Sequence, residues 1–323
     1  MVLSISRRAL IAATLAGGVA FAVPAHAQVT SLELLAPSNP GSGWDQTARA
    51  LQEVMQAEGL ASGIQVVNVG GGGGTIGLAQ FVTSAGNRGD YLLLTGLAMV
   101  SGELINMSEV TLDEVRPLAR IMGEYEVIVV PAASPIENLG QLIEQLKADP
   151  GSVSWGAGSA GSADHLLVGL IAAATEVPAT GINYIGHSGG GEALAAILGG
   201  HVTVGLSGYG EFASQIEAGE LRALGISAPE RVEGLDIPTF IEQGLDVDFV
   251  NWRGIVAPKD ISDADFETLA TLMDTLLTSD AWQAALDQRG WLGLYLPAAE
   301  FEPFLAENRA ETEEVLRSIG LVE

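Results

Sequence analysis

The sequence predicts an α/β protein of two domains, each a mostly parallel sheet with helices on its faces. Three observations carry this. Short apolar runs alternate with glycine-rich turns and helical stretches, the strand–turn–helix repeat of a parallel sheet. Nearly every glycine or serine cluster follows the carboxyl end of a run, where open parallel sheets bind ligands. The chain of 323 residues is also long enough for two cores once its leader is set aside.

Residues 1–27 read as that leader. Arg7 and Arg8 form a charged start, Ala9 to Val23 is an apolar run, and Ala25-His26-Ala27 is an A-x-A cleavage site. Cleavage after Ala27 is expected, and Ser6-Arg7-Arg8-Ala9-Leu10 leaves Sec and Tat export both open. No cysteine occurs anywhere, so disulfides, thiolate metal sites, a cysteine nucleophile and a lipid-anchored cysteine are excluded. No later apolar run is long enough for a membrane helix. The expected product is a soluble periplasmic protein. Its formal charge is -26, and -28 once Arg7 and Arg8 leave with a segment that holds no acid. Such a surface argues against nucleic acid or anionic lipid as partner. It also repels a small anion, so any anion must be held by local dipoles.

In order, Ser31 to Ala36 is a strand, the Pro37–Gly43 turn follows, and Trp44 to Glu58 is an amphipathic helix stopped by Gly59. Gln65 to Val69 is a strand running into five glycines and a helix from Thr75 to about Ala85. Tyr91 to Thr95 is a third strand. Leu118 to Ile121 and Glu126 to Pro131 read as two further strands, the second a crossing into the next domain. Asn138 to Ala148 is a helix. Val153 to Trp155 is a strand that breaks into Gly156–Ser162 and resumes as a helix from His165 to Ala174. Gly181 to Ile185, Val202 to Ser207, Leu221 to Ser227 and Asp248 to Ala257 are strands. Helices follow at Glu192 to Leu198, up to Ala218, and over Ser262 to Thr278, Asp280 to Gln288 and Ala298 to Ile319.

Each strand-to-helix turn exposes free N–H groups and the positive end of a helix dipole, which together bind anions. Ser159 and Ser162 add hydroxyls, and either could cap the helix. Gly156-Ala-Gly-Ser-Ala-Gly161 matches the dinucleotide fingerprint, but Glu176 is too early for its acid, so a nucleotide site ranks below glycines that serve only tight packing, and both rank below an anion-binding helix start. Gly186-His-Ser-Gly-Gly190 matches a nucleophile elbow, which raises a serine hydrolase built on Ser188 as the alternative function. No histidine occurs after His201, so Ser188 lacks its base. His165 and His187 have no second ligand at metal spacing and read as turn and cap residues. Asp45 sits in the first helical turn, where the dipole favours an acid. Trp44 either lines a pocket or covers the domain edge. A solvated role is the default for Arg49. Arg253, in an apolar strand, is either paired structurally or set against a ligand carboxylate.

Taken together, Pro40-Gly-Ser-Gly-Trp-Asp-Gln-Thr-Ala-Arg49, Gly72-Gly-Gly-Thr-Ile-Gly77, Gly123-Glu-Tyr-Glu-Val-Ile-Val-Val-Pro131, Ser154 to His165, Ser188-Gly-Gly-Gly-Glu-Ala-Leu-Ala-Ala196 and Asn251-Trp-Arg-Gly254 resemble the receptors of tripartite tricarboxylate transporters, the Bug or TctC type. The resemblance runs through the whole mature chain. It implies a type II periplasmic-binding-protein fold with a two-strand hinge. Lobe one would span 28–125 and 228–323, and lobe two 126–227. It implies a monomer without cofactor or metal that captures a tricarboxylate such as citrate, or a dicarboxylate. That ligand would pass to a large and a small integral-membrane subunit. The ligand residues it implies are Ser42, Gly43, Trp44 and Asp45; Gly73, Gly74 and Thr75; Ser159, Ala160, Gly161 and Ser162; Ser188 and Gly189; with Arg253 as a basic group. Ser42 stands where many relatives have glycine.

Overall fold

A computed structural model describes residues 29–188 and 190–323, so the predicted leader and Gly189 lie outside the described residues. The chain begins β1 (Val29–Ala36), α1 (Gly43–Ala57), β2 (Ala61–Asn68), α2 (Thr75–Ala85), β3 (Tyr91–Gly96) and α3 (Leu97–Asn106). The strands β2, β1 and β3 lie side by side and parallel. Leu92, Leu93 and Leu94 of β3 are all buried, as expected for a strand with both faces covered.

A 17-residue strand, β4 (Val115–Pro131), follows. Beyond it come α4 (Leu139–Ala148), β5 (Ser154–Ala157), α5 (Ala163–Ala174), β6 (Asn183–Gly186), α6 (Gly190–Leu198), β7 (Val204–Gly208), α7 (Tyr209–Glu217) and β8 (Leu221–Ile226). Here β6, β5 and β7 form a second parallel set. The chain ends with β9 (Val250–Pro258), α8 (Asp263–Leu277), α9 (Asp280–Arg289), β10 (Leu296–Pro297) and α10 (Ala298–Ser318). Among the described residues no helix is long and apolar enough to cross a membrane.

β4 joins the two sets. Val115 to Tyr125 pairs antiparallel with β9, which in turn pairs with β3. From Glu126 the partners are β7 on one side and β8 on the other. The two strands expected at 118–121 and 126–131 are therefore one. The polar Gly123–Glu126 interruption does not break it, because Gly123 exchanges hydrogen bonds with Leu292 at 3.0 and 2.8 Å while the β9 register continues through shifts near 117–122. Side chains beyond Glu126 alternate between two cores: Ile128 and Val130 pack in the cluster holding Trp155 and Leu167, Val127 and Val129 in the one holding Phe212 and Ile197.

Helix ends follow capping chemistry where it is available. Asn138, Ser262 and Ser279 accept bonds from Gln141, Asp265 and Trp282 N–H groups at 3.0–3.1 Å. Three other helices, α1, α5 and α6, begin instead on small residues that border a common cleft. Two of these start two residues earlier than expected, at Ala163 and Gly190, as small residues of the preceding turns join the first helical turn.

Candidate functional site

One wall of the cleft comes from the turn after β1. Ser42 occupies the N-cap of α1 without capping it; its hydroxyl bonds Ser38 and the Asn39 carbonyl instead. Gly43 is required by close approach: a Cβ there would overlap the Arg253 guanidinium. Trp44 lines the cleft, its indole N–H reaching the Thr95 carbonyl at 3.3 Å and its ring lying against Gly74. Gly73 and Gly74 both take positive φ and complete this wall.

The facing wall comes from three turns, those after β5, β6 and β7. Gly158, Ser159, Ser162, Ser188, Gly190, Ser207 and Glu211 reach the same space. The Ser159 hydroxyl donates to the His187 carbonyl at 3.2 Å, tying two of these turns together. Ser162 sits 3.4 Å from the Tyr184 hydroxyl.

Four residues expected at the site lie off its walls. Thr75 turns its hydroxyl back to the Gly72 carbonyl at 2.9 Å. Ala160 is exposed, and the Gly161 N–H donates to His165 Nδ1 at 3.1 Å. Asp45 is buried, accepting from Gly41 N–H, Arg49 and Asn68 at 2.8–3.0 Å, which holds its carboxyl below the usual range despite burial. It orders the turn rather than facing the cleft, and Arg49 is its exposed partner. His165 stacks on Tyr184 with ring centroids 4.0 Å apart.

Four acids, none of them singled out in the sequence, dominate the electrostatics. Glu124, Asp164 and Glu211 line the cleft, and Glu126 stands behind Glu124. The amide of Asn251 joins the last two, donating to Glu126 at 2.9 Å and lying 3.5 Å from Glu124. Arg253, 5% exposed, pairs with Glu124 and donates to the Thr47 hydroxyl at 3.0 Å. Asp164 accepts the Gly158 N–H at 2.7 Å. Glu211 is partly exposed as a residue, but its carboxylate is enclosed. It takes the Ser207 hydroxyl at 2.5 Å and the N–H groups of Gly43 and Gly190. Glu192 likewise caps its own turn, accepting the Ser188 N–H at 3.0 Å.

Burial raises all four carboxyls of the cluster. Glu124 reaches about 7 although Arg253 pulls it down, and Asp164 reaches about 7 although the Gly158 N–H does the same. Glu126 is pushed well up by burial and then by Asp164 and Glu124; Glu211 is raised by burial against the Ser207 bond. The sequence did carry a signal. Glu124 and Glu126 are two apart in a buried strand, which sets both on one face.

A larger groove between α8 and α10 shares no residue with this cleft. Its basic groups are already engaged: Arg116 with Asp263, Arg309 with Glu103, and Lys259 with the Asp113 carbonyl. The cleft is where polar groups of both sheets converge.

Two α/β sheets joined through one long strand, with small-residue helix starts facing a common cleft, define a solute-binding receptor. The family model for the tripartite tricarboxylate transporter family receptor, TctC, matches residues 47–321. Protein BugT of Bordetella pertussis is 28% identical over 295 residues, covering 90% of this chain and 89% of that protein. Among solved structures, an R. palustris protein with adipate aligns with a TM-score of 0.81 at 21% identity, over 90% of this chain and 97% of the other. MatC from Rhodopseudomonas palustris, with bound malate, aligns at 0.78 and 20%, over 89% and 99%. The chain belongs to the TctC receptor family and is a periplasmic transport receptor, not an enzyme.

Proposed function

We propose that this receptor captures a small carboxylated molecule in the cleft and delivers it to the large and small membrane subunits of a tripartite tricarboxylate transporter. The observation that carries the reading is the convergence of α1, α5 and α6 starts and their hydroxyls on one space between two sheets. The N–H groups of Gly43, Gly158, Ser188 and Gly190 are held by the protein's own carboxylates, so the serine hydroxyls at these starts are the donors that turn to a ligand carboxylate and release it when the sheets part. Relatives solved with adipate and malate support the same ligand chemistry.

In this reading Ser42, Gly43, Trp44, Gly73 and Gly74 hold the ligand from lobe one. Ser159, Ser162, Ser188 and Gly189 hold it from lobe two. Arg253 acts through its pair with Glu124. The lobes meet where β4 changes partners, between Tyr125 and Glu126, and the return crossing is near Ala228. The mature protein starts at Gln28. A thermal-shift screen of organic acids on the mature protein tests the reading, because a ligand that binds only the folded state raises Tm. Citrate, malate and adipate belong in the first panel. If no carboxylate moves Tm, the reading fails.

A further inference from the structure

We propose that the two lobes close on each other before a ligand arrives, and that the Glu211 side chain is the tie between them. This rests on the two-lobe reading and adds what holds the lobes together.

Glu211 stands in the first turn of α7, in lobe two. One of its bonds is local: the Ser207 hydroxyl, four residues back, donates to it at 2.5 Å. Its other donors are the N–H groups of Gly43 and Gly190. Gly190 opens α6 in the same lobe, whereas Gly43 opens α1 in lobe one. One carboxylate therefore accepts from both sides of the cleft. Its two oxygens are seated separately. A Cβ on Gly43 would come 3.0 Å from Oε1, and a Cβ on Gly190 would overlap Oε2. Helix starts suit this group, since their free N–H groups and the positive end of the dipole both favour a carboxylate. A bound acid that bridged the lobes would need the same donors. Here α7 supplies the bridging carboxylate from within the chain.

Other contacts cross the cleft beside it. The Asn39 amide, in the turn after β1, donates to Glu192 of α6 at 3.3 Å. Ile105, near the end of α3, covers Gly161 in the turn before α5; a Cβ there would lie 3.2 Å from its nearest methyl. Arg253 of lobe one lies against Gly43 from the other side and attracts Glu211. Glu124 repels it, and its own pair with Arg253 reduces that repulsion. The starts of α5, α6 and α7 thus each meet a partner in lobe one. A hydrogen bond to a charged group is strong enough to move a two-state equilibrium about tenfold. A ligand then enters through the open minority, and the transporter must break the tie to release it.

Small-angle scattering tests this on the mature protein, refolded from urea into buffer without organic acid. The parent should show the radius of gyration of this structure. Glu211→Ala should raise the open-to-closed ratio about tenfold, seen as a larger radius with unchanged far-UV circular dichroism. Glu217→Ala, exposed at the other end of α7, should match the parent. Should Glu211→Ala fail to fold, Glu211→Gln decides by the same measure, because it keeps the shape and loses the charge. A parent already expanded, and compact only after malate, citrate or adipate is added, overturns the proposal and leaves the two-lobe receptor standing. A compact parent whose folded Glu211 variants stay compact also overturns it. If no variant and no added acid changes the radius, the lobes do not part, and the two-lobe reading falls with it.

Discussion

Gly190 and Gly191 stand side by side at the start of α6 but meet different surroundings. A Cβ on Gly190 would run into the Glu211 carboxylate, whereas one on Gly191 would meet nothing within 4 Å. Gly190→Ala should therefore push Glu211 off the helix start and weaken ligand binding, measured by calorimetry. Gly191→Ala should keep binding and gain up to about 1 kcal/mol of stability from helix propensity. Equal binding by both variants would show that Glu211 does not need its place. The acids make a second residue-scale prediction. Unfolded carboxyls titrate near 4, whereas Glu124 and Asp164 reach about 7 in the fold. Raised groups contribute stability that is complete below the unfolded value and lost as pH climbs through the folded one. The ligand-free protein should thus lose Tm between pH 5 and pH 8, and Glu126→Gln should lose less. Calorimetric scans at pH 5, 6.5 and 8 check it; a flat or rising Tm in the parent would contradict it.

At the scale of elements the joint between the sheets is small and specific. Ser227, fully buried, accepts the Glu126 N–H at 2.9 Å and donates to the Phe249 carbonyl at 2.7 Å, while its own backbone bonds both neighbours at 2.9 Å. Ser227→Ala strands two buried backbone groups, each costing about 1–3 kcal/mol. A loss of about 2–4 kcal/mol in urea unfolding is expected; less than about 0.5 kcal/mol would mean that the tie lies elsewhere. The strand–turn–helix alternation was legible because glycine and serine punctuate each carboxyl end, and α8, α9 and α10 were legible as helical stretches, although only α8 and α9 carry a capping serine. The continuity of β4 was not, since its register with β9 and the Gly123–Leu292 exchange are long-range pairings that no local pattern encodes. The turns around Ser42, Ser159 and Ser188 were readable as turns from their glycines and serines, and the structure brings them to one cleft. Asp164 and Glu211 were not readable as facing them, because each sits in the first turn of its helix, where an acid is ordinary. Nor was the reach of the last helix: Ile319, just past α10, packs against Gly169 of α5, so the C-terminus touches the second parallel set.

At the scale of the whole molecule, a formal charge of -26, or -28 without the leader, sets how a ligand approaches. The long-range field acts on the ligand's net charge, while the cleft acts on its separate groups. Salt changes the first strongly, since the Debye length falls from about 30 Å at 0.01 M to about 8 Å at physiological strength. A ligand held among cleft-lining residues such as Ser42, Ser159 and Ser162 would be bonded at short range, where salt screens little. Stopped-flow association rates therefore separate ligand classes without a structure of the complex. A dicarboxylate is repelled at long range, so its association should speed up as salt is added. A cationic ligand such as arginine is drawn in, so its association should slow. A zwitterion with one carboxylate and one ammonium feels little net force, and its rate should stay nearly flat. Dissociation should change little in all three cases. The carboxylate-receptor reading of the cleft expects the tightest ligand to follow the rising line. If the tightest ligand instead associates more slowly with salt, it is a net cation and the carboxylate reading fails. If dissociation of a ligand on the rising line also rises steeply with salt, exposed Arg49 rather than the enclosed donors holds it.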